Sequence, residues 1–164
     1  MLYKSILLSI TIMKGVSKYL MNYTPTLLHD SIRIDKLYTI HYFEYMSDFT
    51  FEGERHDFWE FLYVDKGEVF ATADTKEILL KKGEILFHQP DEFHAVNATG
   101  RSAPNLIVVS FSSPSPAMRF FVKRLLQLDD VEQKLLAEII KEARSCFSCR
   151  LDDPYLAHME KKSS

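Results

Sequence analysis

From Ile34 to Ala98 the chain alternates short runs of β-branched and aromatic residues with turn-forming residues every 8–12 positions. This is the spacing of an all-β sandwich or barrel. The pattern predicts strands over 34–45, 58–65, 67–73, 76–80, 84–88, 93–97 and 105–111. The breaks between them are chemically specific: Asp65-Lys66-Gly67, Asp74-Thr75, Lys81-Lys82-Gly83, Gln89-Pro90-Asp91 and Thr99-Gly100. Each contains a residue that tolerates positive φ or presets a turn. The β pattern stops at Ser112-Ser113-Pro114-Ser115-Pro116, where Ser115 can cap a helix and Pro116 can open it. Two helices are expected beyond. The first, Pro116 to Leu126, carries Met118, Phe121, Val122, Leu125 and Leu126 at helical spacing. The second begins at Asp129, which forms a capping pair with Glu132, and repeats Val131, Leu135, Leu136, Ile139, Ile140 and Ala143 along one stripe.

Length and composition narrow this picture. At 164 residues, with 46% apolar and 26% charged residues, the chain suits one globular domain rather than a disordered or disulfide-stapled class. Its net charge of −3 lacks the clustered cations that phosphate neutralisation needs, so these residues by themselves are not expected to bind nucleic acid. Cys146 and Cys149 form a lone C-x-x-C without the second pair of a zinc ribbon and read as two reduced thiols of a cytoplasmic protein. The apolar run Ile6 to Met13 is too short to span a bilayer, and Lys14 and Lys18 stand where a signal peptidase would need small residues. No membrane attachment is expected; residues 1–29 read as a leader or arm, and 149–164 as a polar tail or linker.

The chemistry concentrates between Glu54 and Asn97. Glu54, His56 and Glu60 fall at i, i+2 and i+6, so on one extended strand all three would share a side, with Trp59 and Phe61 on the other. His94 follows at the start of another strand. If the two strands adjoin, one barrel mouth collects two imidazoles and two carboxylates. That set can line a ligand pocket or hold a hard or borderline divalent metal. His41 and His88 read as structural, Trp59 as core, and Arg55 and Arg101 as surface residues. Aromatic and carboxylate groups around a mouth suit a carbohydrate or an aromatic acid.

Two motifs carry a resemblance. Glu54-x-His56-x3-Glu60-x6-Gly67 resembles the first cupin motif, and Gly83-x5-Gln89-x-Asp91-x2-His94-x2-Asn97 the second. The departures are Asp48 for the leading Gly, Glu54 for the first His, Gln89 and Asp91 for Pro and Gly, and an Asn one residue early. The wording His56-Asp57-Phe58-Trp59-Glu60-Phe61-Leu62-Tyr63-Val64, with Gly67-Glu68, Gly83 to Pro90, Glu92-Phe93-His94 and Leu106 to Phe111, is similar to the amino-terminal sensing domain of AraC-type transcription regulators. The resemblance spans roughly 30–155 and implies a mainly β fold: a cupin-like double-stranded β-helix (30–112) followed by a helical hairpin (113–148) that dimerises. It implies a small-molecule effector bound by Glu54, His56, Glu60 and His94, no catalysis, and a homodimer through Val131, Leu135, Leu136, Ile139 and Ile140. DNA would be contacted only through a carboxy-terminal helix-turn-helix domain. Residues 129–164, with six Lys+Arg against eight Asp+Glu, do not contain one. No cofactor is expected, although the same four residues could hold a divalent metal, and a metal-dependent cupin enzyme of isomerase or dioxygenase type is the alternative.

Overall fold

The computed structural model describes residues 23–163. The leader assigned to the first residues therefore falls, for 1–22, outside the described part. Residues 23–30 are exposed and without regular structure, and Ser31–Ser164 form one compact unit.

Among the described residues, nine strands build two antiparallel sheets: β1 (Lys36–Glu44), β2 (Thr50–Glu54), β3 (Trp59–Lys66), β4 (Glu68–Ala73), β5 (Lys76–Lys81), β6 (Glu84–His88), β7 (His94–Ala98), β8 (Asn105–Ser112) and β9 (Leu125–Gln127). The first sheet runs β1-β8-β3-β6-β9 and the second β2-β7-β4-β5. Successive strands pass repeatedly from one sheet to the other, which is the double-stranded β-helix of cupins. All seven predicted strands are present; β2 and β9 are additions.

The five-stranded sheet is buried on both faces, as the unbroken burial of Trp59 to Val64 shows. Alternate side chains therefore serve two cores. Leu62, Val64, Leu86 and Leu106 face inward and pack on Val69, Ala71 and Leu80 of the second sheet. Trp59, Phe61, Tyr63, Ile85, Ile107 and Val109 face outward into a second apolar layer. That layer is closed by helix α1 (Asp130–Cys146) through Leu136, Ile140 and Ala143, by Met118, and by Leu151 and Met159 of the final segment. Trp59 is thus core, as its position predicts.

Of the expected helical hairpin only the second helix is α-helical. Its start is held by the capping box: the Asp129 carboxylate accepts from the amides of Val131 and Glu132, both at 2.9 Å, and the Glu132 carboxylate accepts from the amide of Asp129 at 2.8 Å. The first segment is instead a 3-10 helix, Pro116–Phe121, followed by β9. Ser115 makes no capping bond, Lys123 turns to a φ of 57°, and Leu125 to Gln127 add a strand to the edge of β6. Edge pairing satisfies backbone groups on both partners and covers an otherwise open strand. Nor is the end of the chain a free polar tail. The Leu151 carbonyl accepts from the Tyr42 amide at 3.0 Å, Phe147 bridges to Lys161, and Leu151 and Met159 are buried. Cys146 and Cys149 are free thiols. Among the described residues no helix is long and apolar enough to cross a membrane.

Candidate functional site

The site follows from strand register. Glu60 pairs with Ser110 on one side and His88 on the other, and Ser110 pairs with Thr39. Thr39, Ser110, Glu60 and His88 therefore form a polar row across four neighbouring strands, all on the inner face. Ser110 Oγ donates to Glu60 Oε2 at 2.7 Å and accepts from Thr39 Oγ1 at 3.0 Å. The second sheet supplies His94, which lies opposite Glu54 in the β2–β7 ladder.

Glu54, His56 and Glu60 do converge, but not along one strand. Strand β2 ends at Glu54 and β3 begins at Trp59, so Glu54 belongs to one sheet, Glu60 to the other, and His56 to the connection between them. Two features set this bend. A register irregularity lies between Phe51 and Glu54, where Gly53 sits at a φ of 111°. A Cβ there would come within 2.5 Å of the Phe93 ring and 2.7 Å of the His94 carbonyl, so only glycine fits. The connection is then tied to the β6–β7 turn: Asp91 donates its amide to the His56 carbonyl at 2.7 Å, and the Arg55 guanidinium bonds the Asp91 carbonyl and lies 3.6 Å from Asp74. Arg55 acts on the surface, as does Arg101, which pairs with Glu68 at 3.1 Å.

The four groups offer ligand atoms all within 4.8 Å of one another. His56 Nε2 lies 3.6 Å from Glu60 Oε2, and His94 Nε2 lies 3.5 Å from Glu60 Oε1 and 3.7 Å from Glu54 Oε1. The opposite ring nitrogens are fixed by carbonyls: His56 Nδ1 on Phe58 and His94 Nδ1 on Glu92, both at 3.0 Å. Only an N–H bonds a carbonyl, so both Nδ1 atoms carry hydrogen and, in the neutral rings, both Nε2 lone pairs face the site. His88 is held in the same sense by the Glu92 carboxylate at 3.3 Å. The Nε2 atoms of all three histidines are buried without a hydrogen-bond partner.

Burial pushes the Glu60 carboxyl upward, but His56, His94 and the Ser110 hydroxyl outweigh it and hold the group below the ordinary carboxylate range. For His94, burial favours the neutral ring, yet Glu54, Glu60 and the Glu92 carbonyl leave it raised. His41, by contrast, is lowered because burial outweighs its bond to the Leu151 carbonyl.

A cavity of about 450 Å³ opens between the sheets at this point. Its polar end is the constellation just described; its walls continue over Phe43, Tyr45, Phe49, Leu62, Val96, Leu106 and Val108, and residues 154–157 border its mouth. The cavity also takes in His41 and His88, whose strand positions alone suggest a structural role, together with Thr39 and Ser110. Strand parity is the signal for them: Thr39, His41 and Phe43 alternate on β1 as Glu60 and Leu62 do on β3. The five residues assigned to dimerisation divide. Leu136 and Ile140 are 7% and 6% exposed, buried against the barrel, whereas Val131, Leu135 and Ile139 are 65%, 61% and 39% exposed.

Residues 37–116 match the family described as AraC-like ligand binding domain. That match spans strands β1 to β8 of the barrel. Among solved structures, the chain is similar to unsaturated fatty acid-bound ToxT from Vibrio cholerae strain SCE256, at 8% identity over 66% of this chain and 47% of that one, with a TM-score of 0.45. It is also similar to a cupin protein from Bacteroides fragilis, at 18% identity over 66% of this chain and 100% of that one, TM-score 0.42. A third likeness is to an RmlC-like cupin from Shewanella frigidimarina, at 14% identity over 57% and 94%, TM-score 0.39. The chain spans about half the length of the ToxT structures. No curated protein sequence matches it.

Proposed function

We propose that this chain senses a small-molecule effector in the barrel cavity and works as the sensing and dimerisation half of an AraC-type transcription regulator. The observation that carries the reading is the cavity of about 450 Å³, polar at one end and apolar along its walls, lined by residues of the family match except for 154–157 at its mouth. Such a volume with a few convergent polar groups is that of a small-molecule site. The test is a thermal-shift survey of a metabolite library on the chain and on His56→Ala. An effector at 100 times its Kd adds about 2.7 kcal/mol of stability. We expect at least one such compound, with its effect lost in His56→Ala while the unliganded melting temperature stays nearly unchanged; a library without any His56-dependent compound overturns the reading.

Dimerisation would use the outer row of α1. Val131, Leu135 and Ile139 recur at i, i+4 and i+8 and remain exposed once Leu136 and Ile140 are spent on the barrel. Exposed apolar rows of this kind mark interfaces, and two-fold self-pairing is the commonest solution. Sedimentation at tens of micromolar should give a dimer that Leu135→Glu splits; a monomeric parent removes this element from the proposal. With a net charge of −3, the chain should not shift duplex DNA at about 150 mM salt.

A second reading, a metal-dependent cupin enzyme, is favoured by one observation: buried Nε2 atoms of His56 and His94 without hydrogen-bond partners beside two carboxylates. These donors fit a divalent ion, which His56, Glu60 and His94 would hold with Glu54 completing the set; backbone carbonyls on both Nδ1 atoms orient the rings as second partners of metal-binding histidines do. A bound ion would supply Lewis acidity. Stoichiometric Mn, Fe or Zn surviving dialysis would favour this reading over the first.

A further inference from the structure

We infer that the effector class of this cavity is an organic cation: a small amine whose ammonium seats on Glu60 and Glu54 and whose apolar body lies along the aromatic wall. The inference rests on the sensing reading above and names its ligand chemistry.

The first argument is charge. Glu54 and Glu60 face the cavity, and no lysine or arginine is among its lining residues. The two carboxylates therefore face no permanently charged cation of the protein. A carboxylate or phosphate ligand would add like charge within a few ångströms of both, which is unfavourable in a buried site. A single ammonium would instead offset it.

The second argument is the hydrogen-bond inventory. The hydroxyl donors of the polar row are already spent, Thr39 on Ser110 and Ser110 on Glu60. What remains unpartnered are Nε2 atoms of His56, His88 and His94, with His88 and His94 only 1% and 2% exposed. The Glu54 and Glu60 carboxylates accept whatever the protonation state of these rings, so the polar end always presents carboxylate acceptors to a ligand. An ammonium supplies three donors and no acceptor, whereas a hydroxyl supplies one donor for each oxygen that must itself be satisfied.

The third argument is the wall. Phe58 stacks between Tyr38, at 4.0 Å, and His56, at 3.8 Å, beside the carboxylates, and Tyr45 stacks on Phe43 and Phe49 farther along. With their faces taken by these neighbours, Phe58 and Tyr45 serve to bury the apolar body of the ligand beside the carboxylates.

The experiment uses the full chain, stripped with EDTA, and an isosteric series: 2-phenylethylamine, 2-phenylethanol, phenylacetate, and Mn²⁺ alone, each read by calorimetric titration. We expect the amine to bind at least tenfold more tightly than the alcohol and phenylacetate not to bind. Glu60→Gln should weaken the amine at least tenfold and the alcohol by less than about threefold. Glu54→Gln, at the more exposed carboxylate, supplies a second variant should Glu60→Gln fold poorly, and should weaken the amine in the same direction. Phenylacetate binding as well as the amine, or the alcohol equalling it with both variants silent, overturns the amine class while leaving a sensing cavity in place. Mn²⁺ binding that excludes the amine overturns it in favour of the metal reading. If none of the four binds, the amine class fails, and the library survey with His56→Ala decides the sensing reading separately.

Discussion

The two ends of the barrel interior have opposite characters. At the floor, Val64, Val69, Ala71 and Leu80 are all 0% exposed and close the space between the sheets. At the mouth, lined from β1, β2, β3, β6, β7 and β8 but not from β4 or β5, the space between the sheets is a cavity whose histidine nitrogens lack partners. Buried polar groups left unpaired cost stability, and a fold tolerates them where function requires and packing elsewhere compensates. The floor and the outer layer thus hold the barrel together, leaving the mouth free to be chemically unsatisfied.

This division is broken or sharpened most forcefully at the floor. Leu80→Ala should cost about 2–5 kcal/mol, through lost burial and the cavity it leaves, measured by urea unfolding. Its effect on ligand affinity per folded molecule should be small; a variant that kept its stability but lost binding would reverse the assignment of the two ends. At the mouth, Glu60→Gln should cost only about 1.5 kcal/mol, the scale of a hydrogen bond to a charged group. A loss as large as that of Leu80→Ala would make the carboxylate a structural element.

The pH dependence of the metal-free chain tests the same end. Glu60, held below its ordinary 4.5, contributes stability that is present above that pH and lost as pH falls through its lowered value. His94, raised above its ordinary 6.5, contributes stability that is present below that pH and lost as pH rises through its raised value. Their joint contribution is therefore largest between pH 4.5 and 6.5. Urea midpoints across pH should show that maximum, and Glu60→Gln should flatten it; an unchanged profile would detach these groups from stability. The smallest effect belongs to neither end: Leu135→Ala on the exposed row of α1 should change monomer stability by no more than about 0.5 kcal/mol, against about 2–5 for the buried neighbour Leu136→Ala.

The sequence disclosed whatever depends on local chemistry. The turn residues bounded seven strands, Asp129 and Glu132 announced α1, and the spacing of His56, Glu60 and His94 brought three of the site residues onto the page. What it concealed depends on partners distant in the chain. Thr50 to Glu54 is polar and contains a glycine, so only pairing with β7 makes it a strand. Leu125 to Gln127 fits a helical period, and the open edge of β6 overrides that preference. His41, His88 and Ser110 carry no motif of their own. Their place beside Glu60 comes from inter-strand register, which period-two alternation allows but does not fix. The return of the final segment onto β1 rests on two buried side chains, Leu151 and Met159, within an otherwise polar stretch.

Strand β3 has one more consequence, for folding errors rather than for binding. Glu60 stands between Trp59 and Phe61, whose side chains enter the outer apolar layer while its own enters the cavity. Sliding β3 by one residue against β6 and β8 would exchange the two sets, forcing a carboxylate among Ile85, Ile107 and Val109 and leaving the indole in the opening. Burying a carboxylate among these aliphatic side chains is costly, so the shifted ladder would be heavily penalised. The residue that makes the site polar also proofreads the pairing of the central strand.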